Sequence, residues 1–252
     1  MKKNSNIFTI FINQSTRNEK QMITTLCLLL AFCSSAFIGI PIWFEEPKLL
    51  CLSADKITYL PCTEEEMCSK KLIYMIDPQI SPISLVSELN LLCERKYIKR
   101  LLLTVIYFGG CLGAFMNFLI YIRPISRKKA LACLGLVFAS ANYLIIFFRS
   151  SEIMIGFCLA IISFTSIIGN AYGFIIINEY FAGDLAKTAT IFMRLFWGIF
   201  GIFFGGFCYL IQSNWKMLFL TMGTLVMIDS LYLLFFKSET GIKEGLSKGV
   251  IF

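Results

Sequence analysis

Six runs of about twenty apolar residues, at 22–44, 101–122, 130–148, 153–177, 189–211 and 215–236, set the terms for this chain. A bilayer's hydrocarbon core is about 30 Å thick and takes roughly 20 helical residues to cross. Inside it no water is available to backbone N–H and C=O groups, so a spanning segment must be a helix or part of a closed barrel. Barrel strands alternate apolar and polar residues, whereas these runs are apolar on every side. The expected fold is therefore all-α, a polytopic membrane protein of six transmembrane helices. Residues 1–21 form a cytoplasmic segment, 22–236 the bundle with an extracytoplasmic loop at 45–100, and 237–252 a cytoplasmic tail. The run at 22–44 follows a long polar stretch and exceeds the h-region of a signal peptide, so it reads as a retained helix.

Composition narrows the chemistry. Of 252 residues 57% are hydrophobic and 15% charged, against roughly 25% charged in soluble domains, which excludes an ordinary soluble domain. There is no His, so imidazole relays and Ser-His-Asp triads are absent. Zinc-type Cys spacing, a P-loop and G-x-G-x-x-G are missing too. No enzyme activity, metal or cofactor is expected. The net charge of +7 does not point to nucleic acid, because the basic residues are scattered over short loops and termini, where they set topology.

That bias orients the chain. With the N-terminus inside, Lys2, Lys3, Arg17, Lys20, Arg123, Arg127, Lys128, Lys129, Lys187, Lys237, Lys243 and Lys248 all fall on the cytoplasmic side. The two short outer turns hold only Arg149 and Lys216. Both termini are expected in the cytoplasm, in the plasma membrane or an endomembrane, and the sequon Asn13-Gln14-Ser15 is then silent. Cys51, Cys62, Cys68 and Cys93 share the long outer loop, where an oxidising compartment favours two disulfides in one of three pairings. Cys27, Cys33, Cys111, Cys133, Cys158 and Cys208 lie within spans as small apolar fillers.

Several stretches carry a family likeness. Ser87-Glu88-Leu89-Asn90-Leu91-Leu92-Cys93-Glu94, closing the outer loop, resembles an S-E-W-x-L-V-C signature, and Tyr107-Phe108-Gly109-Gly110-Cys111-Leu112-Gly113-Ala114 a Y-F-x-G-x-x-x-G-A second helix. Asn170-Ala171-Tyr172, Glu179-Tyr180-Phe181, Trp215-Lys216 and Leu246-Ser247-Lys248-Gly249 continue the pattern in order. The chain thus resembles the N-terminal six-helix half of a major facilitator transporter, in the organic cation/anion branch with its synaptic vesicle glycoprotein 2 relatives. The loop between helices two and three keeps the family's basic residues as Arg123, Arg127 and Lys128 but lacks its Asp and both Gly positions. The resemblance implies a cytoplasmic gate around those residues. It also implies a cavity lined by the fourth helix.

Ionisable and polar groups within spans need a reason, since a charge at the bilayer centre costs at least about 2.5 kcal/mol on insertion scales. Glu179 ends the fourth helix and Arg194 enters the fifth, a candidate charge pair. Asp229 is a candidate coupling or solute site, and Asn170 and Tyr172 are candidate solute contacts. Asn142 is suited to bonding between helices. Gly109-x-x-x-Gly113, Gly169-x-x-x-Gly173 and Gly201-x-x-x-Gly205 place small residues on one helix face, suited to close packing.

The expected function is secondary transport of a small organic solute by alternating access between two bundles, with no ATP site. The alternative is an accessory or structural membrane subunit, or a truncated half-transporter. The expected partners are the lipid bilayer, the solute, and a second copy or another membrane protein covering the polar face of a lone half.

Overall fold

The computed structural model describes residues 17–52, 58–77, 81, 83–121, 127–180, 184–211 and 214–235, apart from side chains at 17–20, 22–23, 32–38, 120–121, 127, 179–180 and 184–185. The apolar runs form long helices. α1 is Arg17–Trp43, α4 Lys96–Tyr121, α5 Arg127–Phe147, α6 Glu152–Tyr180, α7 Asp184–Leu210 and α8 Trp215–Phe235. Among the described residues five helices, α4 to α8, are long and apolar enough to cross a bilayer. Six were expected from the sequence. α1 covers the first expected span as a continuous 27-residue helix with Pro41 in its last turn.

Helix ends overrun the apolar runs where charges find partners. α4 begins at Lys96 rather than at 101, and α6 at Glu152. Lys96 pairs with Glu64 at 2.9 Å, Lys99 with Glu46 at 2.8 Å, and Arg95, just before α4, with Glu152. Paired charges let the helices continue past their apolar stretches.

α1 lies against α5, α6, α7 and α8, while α4 packs on α6, and α5 fits between α6 and α8. Glycine sets the α4–α6 distance. A Cβ at Gly109 would stand 2.9 Å from the Ala160 Cα, and one at Gly113 would stand 2.6 Å from the Phe164 carbonyl oxygen. Only a residue without a side chain permits backbones to approach this closely. Gly173 is similarly filled by Leu30 of α1. Gly205 of α7, expected to pack, has nothing within 4 Å of its Cβ position among the described residues.

The long loop after α1 is a small domain with strands, a departure from the all-α expectation. β1 (Leu49–Leu52), β2 (Tyr59–Cys62) and β3 (Tyr74–Ile76) form an antiparallel sheet in the order β2-β1-β3. The strands are three or four residues long, too short for alternation to stand out in the sequence. α2 (Glu64–Lys70) starts with a capping box between Thr63 and Glu66 and stops where Lys71 turns left-handed at φ 47°. α3 (Leu85–Glu88) is capped by Ser84, whose hydroxyl also donates to the Glu45 carbonyl at 2.6 Å. Leu49, Met67, Leu85, Val86, Leu91 and Leu92 bury together beneath it.

Of the three pairings open to the loop cysteines, the structure has Cys51–Cys62 across β1 and β2, and Cys68–Cys93 between α2 and the turn before α4. Peptide mapping without reduction should return these two linkages; four free thiols would contradict it. Each is worth about 2–4 kcal/mol, by restricting the unfolded chain.

Candidate functional site: a loop clamped to the bundle and an open helix face

The sequence likeness singled out 87–94 in the loop and Trp215-Lys216 at the start of α8. The fold brings them into contact. The Glu88 carboxylate accepts a hydrogen bond from the Trp215 indole Nε1–H at 2.9 Å and pairs with Lys216 Nζ at 2.7 Å and Arg149 Nη1 at 3.8 Å. α3 presents Glu88 as its last residue. Its position is held by the Ser84–Ser87 capping box and by the Trp215 N–H, which donates to the Ile83 carbonyl at 3.2 Å. Trp215 is fully buried. Its ring meets Phe219 edge-on at 5.8 Å, and Phe219 stacks on Trp43 at the end of α1 at 4.6 Å. An aromatic floor shared by α1 and α8 therefore lies beneath a single carboxylate.

Glu88 was not anticipated from the sequence. A signal was present, since the two short turns expected outside contain only Arg149 and Lys216 as basic residues, and both converge on it. Further pins surround this one. Arg95 Nη1 donates to the Leu89 carbonyl at 3.0 Å, and Lys99 holds Glu46. The Lys99 ammonium, through that hydrogen bond, keeps the Glu46 carboxyl below the usual carboxylate range. A cavity of about 730 Å3 opens between α2 and the turn before α4, lined by Glu64, Glu65, Lys71, Tyr74, Asn90 and Glu94 among others. Glu64 bridges its walls, accepting from the Cys93 N–H at 3.2 Å and from Lys96. Among the described residues no group of three or more Cys, Asp or Glu side chains is placed to hold a metal.

The intramembrane candidates are distributed over the bundle. Tyr172 is buried in α6, while Asn170 is half-buried and donates to the Ser166 carbonyl of its own helix at 3.1 Å. Asp229 of α8 is half-buried, and its Oδ2 is enclosed without a hydrogen-bond partner among the described residues. Asn142 is buried and bonds back to the Phe138 carbonyl at 2.8 Å, not to another helix. The α5–α8 cross-link is instead made by Tyr143 and Thr224, hydroxyl to hydroxyl at 2.9 Å.

Arg194 is exposed on α7, its guanidinium 5.9 Å from the Phe174 ring of α6. The side chain of Glu179 lies outside the described residues, as does Arg123, so their part in a charge pair or gate is not described. Arg127 opens α5, and Lys128 beside it is half-buried. Against known proteins, neither a family model nor a curated protein sequence matches this chain.

Proposed function

We propose that this chain is one helical bundle of a secondary transporter, moving a small organic solute by alternating access in an internal or surface membrane. The observation that carries the reading is the Glu88 clamp. It joins two of the segments on which the resemblance to the organic-ion branch of the major facilitator superfamily rests, 87–94 and Trp215-Lys216, through one carboxylate. Six helices would provide one wall of a site near the bilayer midplane, with Asn170, Tyr172 and Asp229 as solute contacts. Arg123, Arg127, Lys128, Glu179 and Arg194 would serve the cytoplasmic gate. No catalytic step, metal or cofactor is assigned.

A second reading, an accessory membrane subunit, is favoured by α7, where among the described residues nothing lies within 4 Å of the Cβ positions of Gly198, Gly205 and Gly206. Solute counterflow in liposomes, comparing the full-length gene product with its Asp229→Asn variant, separates the two. Saturable counterflow that the variant loses supports transport. Its absence across organic cations, anions and sugars supports the subunit reading.

The topology has its own check. Both termini are placed in the cytoplasm and the outer domain on the opposite side, following the basic bias of the short loops. A Cys introduced at Ser126 should resist an impermeant maleimide applied to intact cells. Labelling there reverses the orientation.

A further inference from the structure

The two disulfides sit in different surroundings. Cys51–Cys62 ties neighbouring strands of one sheet, and Cys51 is buried on the central strand, with a paired strand on either side. Cys68–Cys93 joins separate elements, α2 and the turn that opens into α4. Both of its cysteines are half-buried, and both line the cavity of about 730 Å3. A space of that size admits a small organic molecule to the bond.

The backbone around the same cavity is strained. Among the described residues other than glycine, only Lys71, Asn90 and Cys93 have positive φ, at 47°, 51° and 50°, and all three line it. Asn adopts the left-handed region readily, whereas the Cβ of Lys or Cys crowds a carbonyl oxygen there. Such a conformation persists only where the surroundings enforce it. Cys93 is held by its bond to Cys68 and by its N–H, which donates to Glu64 Oε1 of α2 at 3.2 Å. Glu64 also pairs with Lys96 at 2.9 Å. If the bond between the sulfurs opens, one carboxylate therefore still keeps α2 beside the turn, and the two cysteines stay within reach of each other.

We propose that Cys68–Cys93 is a thiol–disulfide exchange site, open through this cavity to a small thiol of the glutathione class, while Cys51–Cys62 is a purely structural bond. Exposed and strained disulfides are the exchangeable ones. The thiolate of the small molecule attacks one cysteine sulfur, a mixed disulfide forms as the Sγ–Sγ bond breaks, and the other cysteine leaves as a thiolate that takes up a proton. A second thiolate attacks the mixed disulfide. The small molecule departs as its own disulfide, oxidised by two electrons, and Cys68 and Cys93 remain as two thiols. Opening uncouples α2 from the head of α4 and frees Cys93 to leave the left-handed region. Glu65, Glu94 and Lys71 give the cavity charges of both signs, which suits a thiol carrying an ammonium and carboxylates. The inference rests on the cavity and its disulfide and not on transport.

The test incubates the full-length chain in mild detergent with reduced glutathione. Freed thiols are trapped over time with N-ethylmaleimide, the rest are reduced and labelled with its heavy isotopologue, and peptides are read by mass spectrometry. Cys68 and Cys93 should become free about tenfold faster than Cys51 and Cys62, with a glutathione adduct on one of the first pair at early times. Sub-denaturing urea should leave that rate unchanged, because the sulfurs are reached in the folded state. Amide hydrogen exchange should rise across 64–70 once the bond opens, while α5 to α8 keep their protection. Equal rates for the two bonds, or a rate that climbs steeply with urea and so reports unfolding of the small domain, overturn the proposal. Unchanged protection at 64–70 after reduction overturns the uncoupling of α2.

Discussion

Replacing Glu88 by Ala is expected to lower the melting temperature in detergent by roughly 5–10 °C, from a loss of about 2–4 kcal/mol. The larger part comes from Trp215. Its indole N–H is fully buried and donates to Glu88, and removing the acceptor leaves a desolvated donor costing about 1–3 kcal/mol. The remainder is electrostatic. Lys216 and Arg149 are partly exposed, and each such pair is worth only about 0.2–1 kcal/mol. Arg149→Ala, which loses only the 3.8 Å contact, should therefore shift the transition little. Glu88→Gln should fall between, because its amide oxygen can still accept from Trp215. Tryptophan fluorescence and circular dichroism during thermal unfolding report both the clamp and the bundle. An unchanged transition in Glu88→Ala would mean that the loop is held by its other contacts alone.

Adding one methyl group at Gly109 and one at Gly113 is expected to be strongly destabilising. Glycine-to-alanine changes in an open helix are favourable by about 1 kcal/mol, because alanine is the better helix former. At α4–α6 that gain is overwhelmed. The obstructing atoms are the Ala160 and Phe164 backbone, which cannot swing aside as a flexible side chain could. Overpacking a tight interface costs about 1–3 kcal/mol per site, and α6 is the helix on which α4 packs. Gly109→Ala/Gly113→Ala should therefore reduce the folded yield severely, as read by size-exclusion chromatography of a fluorescent fusion. Gly198→Ala and Gly206→Ala, where nothing lies within 4 Å, should be neutral or mildly stabilising. If the two pairs behave alike, helix propensity rather than close packing governs these positions.

The same glycines show how far pattern reading extends. Gly109-x-x-x-Gly113 and Gly201-x-x-x-Gly205 are indistinguishable as strings, yet the first lies against the backbone of α6 while Gly205 of the second meets nothing within 4 Å of its Cβ position among the described residues. Spacing along a helix specifies which residues share a face. It does not specify which neighbour, if any, that face meets. Asn142 makes the same point, since a polar group suited to bonding between helices satisfies itself on its own backbone. In Asp229 the sequence identified an awkward carboxylate, and the structure adds that one oxygen is enclosed without a partner among the described residues.

What the sequence determined by itself is what solvent physics enforces residue by residue. Long apolar runs must be helical because lipid cannot bond to the backbone, and four cysteines in one long loop allow two disulfides. Tertiary structure decided what depends on distant residues meeting. It selected Cys51–Cys62 and Cys68–Cys93 from three pairings, folded strands of three and four residues into a sheet, and brought Glu88 to Trp215 across 127 positions of chain. Short strands and single carboxylates carry no periodic signal, so their partners are chosen only when the whole chain packs and each buried donor must find an acceptor.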